Sequence, residues 1–520
     1  MLNAKNPTRP RLRTGVLAVT LALLLAGCVA PKEQTTPPQD SEPTSDAPGL
    51  AGGIEGFYDQ EVVWSGCEDG AEYECATVKA PLDWDDPDAA TIDLAVKRLP
   101  AQGAAADRIG SLILNPGGPG GSGVDYLSYA VSSTLGEDVL AAFDAVSFDP
   151  RGVGQSSAVS CGDDSVLEEF FTTDVPLESQ EDVDAAREKV RAFGEVCSAE
   201  TGPLLGEVDT VSSARDLDLL RAVLGDDELY YAGFSYGTFL GATYAELFPQ
   251  NVGRLLLDGA LDPSMSNDDL VIGQAIGFEN ALTAYVADCQ AGRGCPLTGT
   301  VDDGLAQIAA LMERAYRTPL DAGDGNVVNR TMAFHGLVVT LYDDTYWPLL
   351  TMALAEALQD NQGTVLLELA NAYLERTPEG EYLSNMMIAF TAINCVDYPT
   401  EERDYEEMVL FAKEIEAVAP TFGRSFGMAV GCEEWPVRSE VVRAPIAASG
   451  AEPILVVGTT GDPATPYAWS VALAEQLESG VLVSWEGEGH TAYGRSNECV
   501  SGAVEDYLVR GVVPQDGLTC

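Results

Sequence analysis

A serine held between two glycines is the feature that most constrains the fold of this chain. The segment GFSYG, residues 233–237, follows the strand-forming run ELYYA and precedes the helix-forming run TFLGATYAELF. A strained strand-to-helix turn needs flanking residues without bulky side chains, which explains the two glycines. The context predicts that Ser235 is a nucleophile raised on a tight turn, and the alternative is a purely structural glycine turn.

Strand-like runs alternate with helical runs through much of the chain. The strand-like runs are TIDLAVKRL, GSLILNPGG, FDAVSFDPRG, ELYYAGFSYG, GRLLLDGAL, PILVVGTTGD and VLVSWEGEGH. Alternation of this kind predicts a mostly parallel sheet covered by helices on both faces. From about residue 267 to 440 the strand-like runs disappear and helical patterns take over, which indicates a helical insertion between two parts of the sheet.

The sequence contains only two histidines, and one of them is placed to serve as a base. His490 lies in the glycine-rich loop GEGHTAYG after a strand, whereas His335 lies in the helical insertion, where a packing role is expected. Asp462, after the strand PILVVG, is the expected orienting acid. The alternative for Asp462 is a purely structural role in an Asp-Pro turn, and Asp258 is the other candidate for the acid. The order Ser, Asp, His is that of α/β hydrolases, so the sequence predicts an α/β-hydrolase fold with a helical cap and the triad Ser235, Asp462 and His490.

The glycine-rich segment NPGGPGGSG, residues 115–123, follows the strand SLIL. An oxyanion hole needs a second donor besides the backbone N–H of Tyr236, the residue after the nucleophile. Pro119 has no N–H, so Gly118 is the expected donor. A phosphate-binding loop is the alternative, but the segment lacks the GKS or GKT ending of a P-loop and the GxGxxG spacing of a dinucleotide site.

Composition limits the class of protein and its partners. The chain has 520 residues, 46% of them hydrophobic, and a formal net charge of −54. The hydrophobic content is enough for a large globular core. The negative charge repels polyanions and therefore argues against a nucleic-acid partner, and it is typical of a well-solvated surface.

The first residues are typical of an export signal. A basic start precedes the apolar run GVLAVTLALLLAG, which is too short to span a bilayer comfortably. The ending LAGC resembles a bacterial lipobox, so residues 1–28 are predicted to be a lipoprotein signal peptide ending at a lipidated Cys28. The alternative is an ordinary cleaved secretory signal. Residues 29–56 are polar and rich in proline, as expected of a disordered tether.

Ten cysteines remain when Cys28 is set aside, and an even number fits an oxidising compartment. No pair has CxxC spacing, so a cysteine-based metal site is not expected. Connectivity does not follow from sequence, and neighbours in chain order are the simplest pairing. That pairing is Cys67–Cys75, Cys161–Cys197, Cys289–Cys295, Cys395–Cys432 and Cys499–Cys520.

Several motifs together resemble the secreted bacterial tripeptidyl aminopeptidases, which are related to the proline iminopeptidases. They are NPGGPGGSG, FDPRGVGQS, YAGFSYGTFLGATYAELFPQNVGRLLLDGALDP, TTGDPATP and GEGHTAYG, in order along the chain, with VKAPLDWDDP, AINCVDYP and CEEWP beside them. The resemblance implies a serine exopeptidase that removes short peptides, typically tripeptides, from a free N-terminus. It also implies that Ser235 is the nucleophile, Asp462 the acid and His490 the base. Asn115 stands where proline iminopeptidases usually have histidine, which does not favour proline selectivity.

Exopeptidase activity requires a group that holds the substrate ammonium. Three carboxylates near predicted bridge cysteines are candidates, namely Asp397, Glu433 and Glu434, with a solvated surface charge as the alternative for each. The expected partners are peptides with a free N-terminus, no cofactor is expected, and the membrane is contacted only through the lipid anchor. Such a protein would be a cell-surface lipoprotein on the outer face of the cytoplasmic membrane, or secreted.

Three functions fit this sequence, and the domain organisation is common to all of them. They are an aminopeptidase, a carboxylesterase or lipase with the same triad acting on cell-envelope or exogenous esters, and a non-catalytic binding protein on a hydrolase scaffold. The expected organisation is a first part of the core at residues 57–266, a helical cap at 267–440 and a second part of the core at 441–520.

Overall fold

One large sheet forms the centre of the molecule. The structure is a computed structural model that describes residues 53–68, 70–398, 400–438 and 442–520. The predicted signal peptide, Cys28 and most of the predicted tether lie outside these residues. Helix α1 (Ile54–Tyr58) occupies the last residues assigned to the tether and buries Phe57, so the fold begins before the predicted boundary at residue 57.

Ten strands of the described chain form the central sheet, in the order β1-β2-β3-β5-β4-β6-β7-β10-β11-β12. The sheet is antiparallel from β1 to β5 and parallel from β5 to β12. The strands are β1 (Ser65–Cys67), β2 (Gly70–Pro81), β3 (Thr91–Leu99), β4 (Gly110–Asn115), β5 (Phe143–Phe148), β6 (Leu229–Phe234), β7 (Val252–Asp258), β10 (Ile454–Gly461), β11 (Gly480–Glu488) and β12 (Leu518–Thr519). The predicted α/β class with a mostly parallel sheet is confirmed.

The strands at the centre of the sheet are buried on both faces. Every residue of β4 and of β5 is buried, as expected of parallel strands that read as continuous apolar runs. All seven strand-like runs of the sequence became strands. The sequence did not indicate β1, β2 or β12. These strands lie toward the two edges of the sheet and carry polar residues that obscure the alternation of apolar and polar side chains.

Helices cover the sheet on both sides. After α1 they are α2 (Gly123–Ser133), α3 (Glu137–Ala142), α4 (Asp164–Thr172), α5 (Gln180–Thr201), α6 (Thr210–Val223), α7 (Tyr236–Leu247), α8 (Asn267–Ala291), α9 (Val301–Arg317), α10 (Arg330–Val339), α11 (Trp347–Ala355), α12 (Thr364–Tyr373), α13 (Met386–Asp397), α14 (Tyr405–Val418), α15 (Gly423–Gly427), α16 (Tyr467–Gln476) and α17 (Glu498–Arg510). Helix α7 is buried from Tyr236 to Ala245, as expected of a helix that is apolar on all sides. The nucleophile turn therefore leads into the core.

The helical insertion leaves and re-enters the sheet between two adjacent strands. β7 pairs directly with β10 in parallel, with Leu256 opposite Leu455, although helices α8 to α15 lie between these strands in sequence. Polar caps fix where the helices start. At α8, Ser266 accepts a hydrogen bond from the N–H of Asp269, and the Asp269 side chain accepts one from the N–H of Ser266. The short pair β8 (Leu320–Asp321) and β9 (Val327–Val328) interrupts the helical pattern in this segment.

Five disulfides link cysteines that are neighbours in chain order. They are Cys67–Cys75, Cys161–Cys197, Cys289–Cys295, Cys395–Cys432 and Cys499–Cys520, the same pairs that the sequence suggested. Three of the bridges close loops of 6 to 21 residues, whereas Cys161–Cys197 and Cys395–Cys432 are separated by 36 and 37 residues, the latter tying the end of α13 to the segment after α15. The loops they close are short enough for local chain contacts to select the pairing.

Candidate active site

The nucleophile turn is strained, and its neighbours hold it in place. Ser235 has φ 57° and ψ −126°, a left-handed conformation that costs a serine about 1–3 kcal/mol. Its N–H donates to the carbonyl of Asp258 at 2.9 Å. A Cβ on Gly233 would lie 2.3 Å from the carbonyl oxygen of Gly237, and one on Gly237 would lie 2.7 Å from Asn115 Oδ1. Both glycines are therefore required by close backbone contacts.

His490 is oriented by the carboxylate of Asp462. Its Nδ1 lies 2.9 Å from both Asp462 Oδ1 and Asp462 Oδ2, and 3.2 Å from the hydroxyl of Thr465. Asp462 also accepts hydrogen bonds from the N–H groups of Ala464, Thr465 and Thr491 at 2.9–3.2 Å. An acceptor at Nδ1 favours the tautomer with a proton on that nitrogen, which leaves a lone pair on Nε2. The Nε2 atom is buried and has no hydrogen-bond partner in the described part of the chain.

Asp258, the rival acid, holds the same loop at a different point. Its carboxylate accepts hydrogen bonds from the N–H of Ala492 at 3.0 Å and from that of Tyr493 at 2.7 Å. The residue is fully buried, and burial raises the pKa of Asp258 to about 6 against the opposing effect of these N–H donors. Among the described residues, no hydrogen bond joins its carboxylate to the imidazole. Asp462 rather than Asp258 therefore orients the ring.

Ser235 and His490 lie at the same edge of the sheet. The carbonyl of Asp258 accepts the Ser235 N–H, and Gly259 is the next residue in the chain. A Cβ on Gly259 would be 3.3 Å from His490 Cε1. This is the carboxyl end of the parallel strands, where ligands bind in open α/β sheets. Among the residues that the structure describes, no hydrogen bond joins the Ser235 hydroxyl to His490 Nε2.

The glycine-rich loop lies directly against the nucleophile turn. A Cβ on Gly117 would be 2.9 Å from Ser235 Cβ and 3.0 Å from the nitrogen of Tyr236, and Gly117 has φ +93°. The buried side chain of Asn115 accepts the Gly117 N–H at 2.9 Å and so fixes the start of the loop. The peptide bond between Gly118 and Pro119 is cis. Within the described chain, the N–H groups of Gly118 and Tyr236 donate to no protein acceptor.

The three carboxylates predicted to bind an ammonium lie in different surroundings. Asp397 is buried and accepts hydrogen bonds from the N–H of Thr210 at 3.0 Å and from its hydroxyl at 2.6 Å. The same hydroxyl lies 2.5 Å from the Tyr236 phenol. Burial raises the pKa of Asp397 to about 7. The structure thus brings Asp397 beside Tyr236, the residue that follows the nucleophile. Because Asp397 is buried, the alternative that it is a solvated surface charge is wrong.

The other two carboxylates follow the Cys395–Cys432 bridge. Glu433 is buried, its Oε2 has no hydrogen-bond partner within the described residues, and burial raises its pKa. Glu434 pairs with Arg191 at 2.9 Å. Neither makes a hydrogen bond to the side chains of Ser235 or His490 in the described chain.

His335 packs inside the helical insertion, as its position predicts. Its ring stacks on Tyr373 with centroids 4.9 Å apart, and burial lowers its pKa to about 4. In the described residues no group of three or more His, Cys, Asp or Glu side chains is arranged to hold a metal ion.

Sequence reasoning missed three residues that contact the histidine loop. Thr465 lies three residues after Asp462, and its backbone N–H donates a hydrogen bond to the Asp462 side chain. This hydrogen bond forms a turn that the DPATP pattern could have indicated. Tyr342 accepts the His490 N–H at 2.8 Å, and Arg495 binds the carbonyls on either side of the histidine. Tyr342 comes from the helical insertion, so no local pattern connects it to this loop.

Two families match this chain, and several known proteins are similar to it over most of its length. Residues 110–327 match the alpha/beta hydrolase fold, and residues 419–520 match the TAP-like proteins. Serine protease Hip1 of Mycobacterium tuberculosis is 38% identical over 86% of this chain and 87% of its own. Carboxylesterase B of the same organism is 37% identical over 86% of each chain. Tripeptidyl aminopeptidase of Streptomyces coelicolor is 30% identical over 86% of this chain and 83% of its own.

Proposed function

This chain belongs to the α/β hydrolases that have a TAP-like C-terminal region, and from that membership we propose that it is an exported serine exopeptidase. It removes short peptides, tripeptides in particular, from free N-termini. Relatives named serine protease and tripeptidyl aminopeptidase support peptide-bond hydrolysis. The observation that carries the proposal is the imidazole of His490, bound to Asp462 through Nδ1 and with Nε2 unpartnered, at the same sheet edge as the strained Ser235 turn.

Ser235, His490 and Asp462 act as nucleophile, base and orienting acid. The Ser235 oxygen attacks the scissile carbonyl carbon while His490 Nε2 accepts the hydroxyl proton. The charge on the imidazolium is stabilised by the Asp462 carboxylate. His490 then donates that proton to the leaving amine as the C–N bond breaks, and water, deprotonated by the same nitrogen, hydrolyses the acyl-enzyme.

The reaction begins when the Ser235 hydroxyl turns towards His490 Nε2. Rotation about the serine Cα–Cβ bond moves the oxygen without changing the backbone. Hydrogen bonds between a nucleophile and its base are often long in a free enzyme and shorten when substrate binds. The unpartnered Nε2 atom of His490 is available to accept this bond.

The N–H groups of Tyr236 and Gly118 form the oxyanion hole. The Tyr236 N–H lies at the N-terminus of α7, where the helix dipole favours negative charge. Gly118 lies in the loop packed against Ser235, and a glycine permits the close approach that a bound oxyanion requires. Both donors are unoccupied by protein acceptors in the described chain, so neither must break a bond to act.

A cap carboxylate binds the substrate ammonium, and Asp397, Glu433 and Glu434 are the candidates. The oxygens of Asp397 already accept two hydrogen bonds from Thr210, and Glu434 is paired with Arg191. Glu433 has a buried oxygen without a hydrogen-bond partner among the described residues, and the positive charges of Arg187 and Arg403 act on its carboxylate.

Export with a lipid anchor completes the proposal. Five disulfides are stable in an oxidising compartment and are rare in a reducing one. The Cys28 anchor itself is proposed from the lipobox-like sequence alone. Membrane fractionation of cells that produce the Cys28→Ser variant tests it, with loss of membrane association as the expected result.

A carboxylesterase or lipase is the second candidate, and the relative named carboxylesterase B is the observation that favours it. Chromogenic tripeptide anilides with free and with acylated N-termini, compared with p-nitrophenyl esters of increasing acyl length, separate the two functions. An exopeptidase cleaves the free tripeptide at least tenfold faster than its blocked form and releases an intact tripeptide. Preference for blocked peptides or for long acyl esters would refute the exopeptidase and favour the esterase.

A further inference from the structure

The loop that contains His490 is bound to the helical insertion as well as to the core. A turn at Tyr342–Asp344, between α10 and α11, lies against this loop. The Tyr342 carbonyl accepts the His490 N–H at 2.8 Å, and the Tyr342 ring packs edge-on against the imidazole with centroids 5.5 Å apart. The insertion thus contacts both the backbone and the ring of the histidine.

Arg495 connects the histidine loop to the same turn. Its Nη1 donates to the carbonyls of Glu488 and Thr491, both at 3.1 Å, and these residues flank His490. Its Nη2 lies 3.4 Å from Asp343 Oδ1 and 3.6 Å from Asp344 Oδ1. One largely buried guanidinium therefore holds the loop on both sides of the base and reaches two carboxylates of the insertion.

The backbone beside the histidine packs closely against Tyr342 and Arg495. Gly489 has φ +97°, and a Cβ there would lie 2.8 Å from the Tyr342 carbonyl and 2.6 Å from Arg495 Nη2. Thr491, on the other side, has φ +66°, which is strained for a threonine. Gly489 adopts its positive φ without strain, whereas the strain at Thr491 has to be offset by contacts that hold the loop.

We propose that Arg495 and the turn Tyr342–Asp344 position the His490 imidazole, so that the base is correctly placed only while the helical insertion is docked on the core. This inference rests on the proposed role of His490 as the base. Asp462 fixes the ring through Nδ1, whereas Arg495 and Tyr342 fix the backbone that carries it. Both restraints are needed, because a misplacement of about 1 Å costs on the order of 10²-fold in rate.

Arg495→Met tests the proposal, with Arg376→Met as the matched control. Arg376 also joins the insertion to the core, through two hydrogen bonds to Glu168 at 2.7 and 2.8 Å, but it does not contact the histidine loop. Arg495→Lys retains the charge near Asp343 without the guanidinium fork. Asp343→Asn retains an acceptor for the Thr345 N–H, which Asp343 Oδ1 now accepts at 2.8 Å, and removes only the charge.

Two measurements are made on each variant of the full chain. Hydrogen exchange by mass spectrometry reports the His490 N–H, and hydrolysis of p-nitrophenyl acetate gives kcat and KM with a substrate that has no peptide chain for the insertion to bind. For Arg495→Met we expect exchange at His490 at least tenfold faster, kcat lower by about 10- to 100-fold and KM within twofold. The exchange rate at His490 and the kcat of Arg495→Lys and Asp343→Asn should lie between those of Arg495→Met and the wild type. Arg376→Met should leave exchange and kcat unchanged while lowering Tm.

Unchanged exchange at His490 in Arg495→Met would refute the proposal, whatever the activity. Equal losses of kcat in Arg495→Met and Arg376→Met would also refute it, because the effect would then be general destabilisation. A wild-type protein that hydrolyses the ester but no peptide would contradict the exopeptidase function. The positioning role of Arg495 and the turn Tyr342–Asp344 would still be supported by the exchange and kcat results for the variants.

Discussion

Asp462 and Asp258 are buried carboxylates at the ends of adjacent strands, and their hydrogen bonds give them different roles. Asp462 accepts from the imidazole Nδ1, while Asp258 accepts from the N–H groups of Ala492 and Tyr493. Sequence order alone favoured Asp462 and left Asp258 open. Only the three-dimensional contacts separate an acid that orients a ring from one that anchors a loop.

Substituting each acid by asparagine measures this difference in role. We expect Asp462→Asn to lower kcat by about 10³- to 10⁴-fold with little change in KM, because an amide group that donates to Nδ1 imposes the wrong tautomer. Asp258→Asn keeps an acceptor for the loop N–H groups and should lower kcat by less than about tenfold. Steady-state kinetics with one chromogenic substrate provide the comparison, and a larger loss in Asp258→Asn would contradict the assignment.

Asp397 predicts a dependence of stability on pH. Burial raises its pKa from the ordinary 3.8 to about 7, so the folded protein binds this proton more tightly than the unfolded chain does. The stability from the protonated group is therefore full below about pH 4 and is lost as pH rises towards 7. Asp397→Asn cannot titrate, so from pH 5 to pH 8 its free energy of unfolding should rise relative to that of the wild type by about 3 kcal/mol, and its relative Tm should rise with it.

Calorimetry at the two pH values makes this measurement, and Asp85→Asn is the control. The Asp85 side chain is 86% exposed, so its substitution should leave the pH dependence of Tm unchanged. A Tm difference between Asp397→Asn and the wild type that is the same at both pH values would show that Asp397 keeps an ordinary pKa.

At the scale of the element, the glycine-rich loop is in backbone contact with the helical insertion. A Cβ on Gly120 would lie 2.6 Å from the carbonyl of Met386 and 2.8 Å from the nitrogen of Phe390, both in α13. The loop that carries the proposed oxyanion donor is therefore held by the insertion, just as the histidine loop is held by the turn at Tyr342. Two separate elements of the insertion contact two separate parts of the site.

Gly120→Ala tests whether this contact matters for activity, and Gly225→Ala is the control. Both glycines have positive φ, +93° and +84°, but a Cβ on Gly225 would meet no atom within 4 Å. Each substitution should cost about 1 kcal/mol in the free energy of unfolding from backbone strain. Only Gly120→Ala should also lower kcat/KM, by at least tenfold, since the loop or α13 must shift. Equal kcat/KM in the two variants would refute a role for the contact.

Local patterns predicted the elements that carry the site and missed the contacts between distant segments. The run ELYYAGFSYG combined strand formers with a glycine-flanked serine, and β6, the Ser235 turn and α7 follow from it. The loop after β11 was found because it contains one of only two histidines. Tyr342 was not found, because its contact with His490 depends on how the insertion folds back and not on any periodicity in the sequence.

In the whole molecule, the insertion joins two neighbouring strands of the sheet, β7 and β10. Because these strands are neighbours in the sheet, helices α8 to α15 extend from the edge at which Ser235 and His490 lie. The net charge of −54 disfavours polyanions across the surface and is compatible with a cationic N-terminus on the substrate. Five disulfides stabilise this organisation outside a reducing compartment.

Covalent labelling shows whether Ser235 is a nucleophile activated by His490. A small fluorophosphonate reacts with a hydroxyl that is activated by a neighbouring base, and peptide mass spectrometry locates the adduct among all the serines of the chain. We predict a single adduct on Ser235 of the wild-type protein and a labelling rate at least 10³-fold lower in His490→Ala. An adduct on another serine, or labelling of Ser235 at the wild-type rate in His490→Ala, would contradict the account.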